Sequence, residues 1–186
     1  MLTVEKIGGT SMSQFGDVVK NIIIGSRKEG DYYNRIMVVS AYNNVTNWLL
    51  EHKKTKEPGI YARFAEGRDY NEALADLLKK LIEINHSFEN IGLDLKAADH
   101  FISTRIVQTR NYLNSLADVL ATGYVSRQSI LLAAREILAS IGEAHSGFNS
   151  VNILNNRGVN AKFIDLCGFN DPEYLTVDER IHKAFQ

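Results

Sequence analysis

The stretch that most constrains this chain is Val4-Glu5-Lys6-Ile7-Gly8-Gly9-Thr10-Ser11, an apolar run broken by a glycine pair beside a lysine. Val4 to Ile7 suits a buried strand, and Gly8-Gly9 removes every β-carbon where that strand turns. Thr10 or Ser11 can cap a following helix that carries Phe15, Val18, Val19 and Ile22. A strand, a bare-backbone turn and a helix start, with an ammonium alongside, together make a site for phosphoryl oxygens. On this segment alone, a plain strand-to-helix turn with a solvated lysine fits as well.

The pattern then repeats. Ile36-Met37-Val38-Val39 is a continuous apolar run, as in a parallel strand covered on both faces. It ends in the small and polar stretch from Ser40 to Asn47, and Trp48-Leu49-Leu50 then opens a helix. Strand, helix and strand in this order imply a right-handed crossover and a parallel sheet. Ligands of such sheets collect at the carboxyl ends of the strands. Both polar turns lie on that rim.

The middle of the chain reads as helix. Leu74, Leu77, Leu78, Leu81, Ile84 and Phe88 mark an amphipathic helix from Asn71 to about Asn90. A second runs from about Leu95 to Leu120, its seam at Ile102, Ile106, Thr109, Leu113, Leu116 and Leu120. An antiparallel hairpin is the plainer reading and a subunit contact the sharper one. Ser126 can cap a third helix that halts at Gly142, and Glu143 then starts a further run closed by Arg157-Gly158. Glu143 would lie at a helix start, where the dipole favours a carboxylate, and a plain acidic first-turn residue explains it equally. Ala161 to Leu166 reads as a third strand, and a polar tail from Asp171-Pro172 ends in a helix from Val177 to Phe185.

Composition narrows the function. A net charge of −1 gives no electrostatic case for nucleic acid or a membrane surface. The basic cluster His52-Lys53-Lys54-Thr55-Lys56 precedes Pro58-Gly59 and reads as a solvated loop. Cys167 is the single cysteine, which excludes an internal disulfide and fits a reducing compartment. In an apolar run with no evident His or carboxylate partner, it reads as a small core residue. The five histidines show no paired ligand spacing, so no metal site is expected. No segment approaches a membrane span and no signal-peptide pattern is visible, which makes the cytoplasm the expected location.

Lys6-Ile7-Gly8-Gly9-Thr10-Ser11-Met12, then Val38-Val39-Ser40-Ala41 and Val45-Thr46-Asn47, resemble the N-terminal part of an aspartokinase. Ile141-Gly142-Glu143 and the run from Arg157-Gly158 to Asp165 resemble that family's next landmarks, in order. Gly142-Glu143-Ala144-His145-Ser146 and Phe163-Ile164-Asp165-Leu166 most resemble the subtype that accompanies ectoine synthesis. Two positions depart from the pattern: Ile7 replaces an aromatic and Asn44 a glycine. Asparagine visits left-handed conformations more readily than most residues, so that turn can survive.

The resemblance implies an α/β fold of the amino-acid-kinase (carbamate-kinase-like) type, a mainly parallel sheet between helices. Residues 1–186 would form its N-terminal, aspartate-binding lobe, with an inserted helical hairpin at about 60–125 and without the nucleotide lobe or regulatory domains. It further implies transfer of the ATP γ-phosphoryl group to the β-carboxylate of L-aspartate, with Mg²⁺, in a homo-oligomeric full-length enzyme. Lys6 would be catalytic and, with Gly8, Gly9 and Thr10, hold the phosphates. Ser40, Thr46 and Glu143 would bind aspartate. The alternatives are a sibling kinase for another carboxylate or carbamate, and a non-catalytic helical interaction module.

Overall fold

The computed structural model describes residues 2–25, 27–52, 54–169 and 171–186. Lys53 of the basic cluster lies outside them. β1 (Thr3–Ile7) and β2 (Arg35–Val39) pair in parallel, from Thr3 opposite Arg35 to Ile7 opposite Val39. The Arg35 guanidinium forks onto Glu5, Nε to Oε1 and Nη2 to Oε2 both at 2.7 Å, and Nη1 donates to the Ile23 carbonyl at 3.0 Å. Such paired charge-assisted bonds fix direction as well as distance, and this fork ties both strands to the helical segment between them. It holds the Glu5 carboxyl below the usual carboxylate range.

That segment comprises α1 (Gly9–Met12), α2 (Phe15–Val18) and a π-helical turn at Val19–Ile23. The N-cap of α1 is Gly8, with no side-chain bond, so Thr10 and Ser11 lie inside the first turn rather than capping it. The wide π turn shifts the helical phase: Ile23 is fully buried, whereas Ile22, expected on the apolar face, is half exposed.

After β2 come α3 (Val45–Leu49), α4 (Ile60–Ala65) and three long helices: α5 (Asn71–His86), α6 (Leu95–Thr122) and α7 (Arg127–Asn156). Asp94 caps α6 through the Ala97 N–H at 3.1 Å, and Ser126 caps α7 through the Ser129 N–H at 3.2 Å. α6 packs against both α5 and α7. Its expected seam is buried from Ile102 to Leu113 and half-buried at Leu116 and Leu120. α8 (Val177–Ala184) closes the chain behind a capping box of Thr176 and Glu179.

Three further expectations fail. Ala161 to Leu166 forms no ladder, and among the described residues the sheet has two strands. The apolar residues of that run serve aromatic packing instead: Phe163 stands edge-on to Phe101 and Phe148, which themselves stack at 4.2 Å. Second, α7 does not halt at Gly142. It runs unbroken from Arg127 to Asn156 and stops at Gly158, whose φ is +81°. Third, β2 is not covered on both faces. Leu2, Val4 and Val38 are 62, 67 and 51% exposed on the sheet face that also carries Lys6. Among the described residues no helix is long and apolar enough to cross a membrane.

Candidate active site

Three chain segments meet around Ala41. The Ser40 N–H donates to the Ile7 carbonyl at 3.0 Å, carrying the strand pairing one step past β2. The Asn43 N–H donates to Ser13 Oγ at 3.0 Å, tying the second turn to the first. A β-carbon on Gly9 would come within 2.8 Å of the Ala41 carbonyl oxygen, so glycine is required there. Gly8 has open space where its β-carbon would be, which leaves its backbone accessible.

From the other side, a β-carbon on Gly142 would lie 2.5 Å from that of Ala41 and 3.1 Å from Val45 Cγ1. Gly142 is thus a point of close approach between α7 and the β2–α3 turn. One turn further along, Ser146 Oγ donates to the Ser40 carbonyl at 2.9 Å and stands 3.0 Å from the Glu143 carbonyl. Glu143 therefore sits in mid-helix against the turn, and the helix-start reading of its carboxylate is withdrawn.

All seven residues singled out in the sequence lie on these three segments. Lys6 lies in β1 opposite Val38, Gly8 caps α1 and Gly9 and Thr10 form its first turn, Ser40 and Thr46 flank the second turn, and Glu143 lies on the helix beside it. Lys6 and Glu143 are both exposed, and neither has an ion-pair partner among the described residues. Ser40 and Thr46 are half-buried. Asn44 takes φ +66° at the start of α3, the left-handed conformation expected of it. Two recesses of about 470 and 330 Å³ lie elsewhere, one beside Lys20 and Arg157 and the other beside Phe101 and Phe148. Among the described residues no three His, Cys, Asp or Glu side chains cluster as metal ligands.

The sequence reading missed two clusters. Arg105, from α6, is buried between Phe101 and Phe169 and contacts both the Asp165 carboxylate and the Cys167 thiol. Cys167 is therefore a half-buried thiol with a carboxylate partner, corrected from a small core residue. Burial, reinforced by Asp165, pushes it up to about 11. The second cluster, Tyr42, Asn85, His145 and Asn149, lies directly under the β2–α3 turn. Its one sequence signal was polar residues on otherwise apolar helix faces.

No protein-family model matches the chain. It is 46% identical over its whole length to an aspartate kinase, Ask_Ect, of Stutzerimonas stutzeri (strain A1501). Over its whole length this chain resembles an aspartate kinase. It spans 40% of the length of that aspartate kinase. Its fold is similar to that of E. coli aspartokinase III, solved in complex with aspartate and ADP, with a TM-score of 0.53 and 22% identity. That match covers 87% of this chain and 30% of the solved aspartokinase chain.

Proposed function

We propose that this chain is the aspartate-binding, phosphate-facing lobe of an aspartate kinase, which transfers the γ-phosphoryl group of ATP to the β-carboxylate of L-aspartate. The observation that carries this is the convergence on Ala41 of a lysine–glycine–glycine turn, a hydroxyl-bearing turn and an acid-bearing helix. A carboxylate oxygen of aspartate attacks the γ-phosphorus, the bond to the β,γ-bridging oxygen breaks, and ADP leaves. Such a nucleophile is already ionised and needs no general base. Catalysis is then chiefly positioning and neutralisation of charge.

Lys6 meets the charge on the transferring oxygens, while Gly8, Gly9 and Thr10 bring unblocked backbone N–H groups toward the phosphates. Ser40 and Thr46 offer hydroxyls to the substrate carboxylate, and the exposed Glu143 suits its ammonium. This chain's described residues furnish no cage for Mg²⁺. Mg²⁺ would arrive with the nucleotide and would supply neutralisation of phosphate charge.

The test is aspartate-dependent ADP release by the full-length protein, with aspartate compared against glutamate. Lys6→Ala should lower kcat by about 10²-fold or more, as expected for loss of a transition-state charge contact, and Glu143→Gln should raise the KM for aspartate. Full activity in Lys6→Ala refutes the assignment, and preference for glutamate moves it to a sibling kinase. On this reading residues 1–186 alone bind ATP weakly and turn over negligibly.

A further inference from the structure

The β2–α3 turn rests on buried polar groups that the catalytic reading does not use. Asn85, His145 and Asn149 are completely buried and Tyr42 is 3% exposed. The Asn85 Nδ2 donates to Asp99 Oδ1 at 2.8 Å, while its Oδ1 lies 2.6 Å from His145 Nε2 and 2.7 Å from Asn149 Nδ2. Tyr42 stacks edge-on to His145 at 5.3 Å and against Phe88 at 5.2 Å. Its hydroxyl, the Asn149 Oδ1 and the His145 Nδ1 are all buried without a hydrogen-bond partner among the described residues.

The donor and acceptor sense of every member follows from one end. A carboxylate oxygen only accepts, so Asp99 obliges Asn85 to present its amide nitrogen there and its oxygen to α7. That oxygen takes bonds from His145 Nε2–H and Asn149 Nδ2–H, which assigns the imidazole its Nε2–H tautomer. The 3.2 Å approach of Asn149 Nδ2 to His145 Nε2 then joins two donors and is not itself a bond. Two bare acceptors remain in the cluster, the Asn149 oxygen and the His145 Nδ1, against one unpartnered donor, the Tyr42 hydroxyl. Of the two, Asn149 is the one that acts on the Tyr42 phenol. Burial holds His145 neutral, at about 3, and pushes the Tyr42 phenol up against the opposing influence of Asn149.

We propose that Asp99, Asn85, His145, Asn149 and Tyr42 form a one-directional hydrogen-bond chain that positions the substrate turn, with Asp99 setting its sense and Tyr42 as its last donor. It runs from α6 through α5 and α7 to the residue between Ala41 and Asn43. Resting on the kinase reading, the inference is that these positioning residues set the grip of Ser40 and Thr46 on the acceptor carboxylate. The Asn85 amide is held in one sense by Asp99, so removing that constraint lets it reverse, breaks its bonds to His145 and Asn149 and loosens the turn.

Two variants of the full-length protein test this. Asp99→Asn lets the Asn85 amide turn round, and Tyr42→Phe removes the last donor while keeping the ring packing. Each should raise the KM for aspartate about fivefold, the scale of one modest hydrogen bond, with the KM for ATP and kcat unchanged. Leu113→Ala, a cavity in α6 away from the chain, should lower stability and leave the KM for aspartate alone. Independently of activity, ¹⁵N spectra should show His145 protonated on Nε2, and a tautomer mixture in Asp99→Asn. Wild-type turnover with an unchanged KM for aspartate in both variants, or a proton on His145 Nδ1, overturns the positioning chain while the kinase reading stands. Absence of wild-type turnover overturns the kinase reading, and the tautomer measurement still judges the chain.

Discussion

Gly142→Ala offers a sharp test of the contact between α7 and the β2–α3 turn. In an exposed helix interior this change is favourable by about 1 kcal/mol, because alanine loses less backbone entropy than glycine. Here the added carbon would lie 2.5 Å from Ala41 Cβ and 3.1 Å from Val45 Cγ1. Carbon atoms prefer about 3.5–4.0 Å, so helix and turn must part by roughly 1 Å or more. Overpacking of this kind costs about 1–3 kcal/mol, and after the propensity gain a net loss of about 0–2 kcal/mol remains. Urea unfolding measures the stability, and the KM for aspartate reports the displaced turn. The companion change Ala41→Gly removes the opposing carbon, so the double variant should recover about 1 kcal/mol or more relative to additivity. A Gly142→Ala protein that is stabilised by about 1 kcal/mol, with aspartate affinity unchanged, would refute the close-approach argument.

Asn44→Ala should cost about 1 kcal/mol, and Asn44→Gly little, because φ is +66° there; equal melting temperatures for the two variants would contradict this. The Glu5 carboxyl sits below its ordinary value of 4.5, chiefly through its hydrogen bonds with Arg35. The stability it contributes is therefore present above about pH 4.5 and is lost as pH falls through the lower folded value, so Glu5→Gln should flatten the acid limb of a melting-temperature profile. Cys167, pushed up to about 11, should react with iodoacetamide at pH 8 well below the rate of a free thiol, and a rate matching glutathione's would count against its burial beside Asp165.

What the sequence displayed was local. The two apolar runs, their polar turns, the seam of α6 and the caps at Ser126 and Gly158 each depend on residues close in the chain, where periodicity and turn chemistry operate. The errors came from partners far away. Gly142 carries a helix breaker's reputation, and only the position of Ala41, a hundred residues earlier, turns it into a packing contact. Phe163 and its neighbours have strand composition, yet two phenylalanines on other helices claim them. Cys167 was read as partnerless because Arg105 is distant in sequence, although Asp165 was two residues away. His145 and Asn149 share a helix face with Ile141 and Ser146, so polar residues on that face could have flagged a buried network. The candidate residues at the two turns stood out through their glycines and hydroxyls, whereas Glu143 was singled out through the family resemblance, because nothing local distinguishes it from an ordinary helix acid.

The bare side of the sheet bears on the chemistry of Lys6. Lys6 shares its face of the sheet with the exposed Val4 and its cross-strand neighbour Val38, so its side chain rises from hydrocarbon surroundings. Anything that settles onto that face, whether nucleotide, substrate or polypeptide, sheds water from around the cation as it hides the valines. Coulomb attraction grows as the effective dielectric falls, so the same event that dries the face sharpens the pull of Lys6 on any anion brought to it. A lysine framed by valines is in that sense a charge whose strength is set by what covers it.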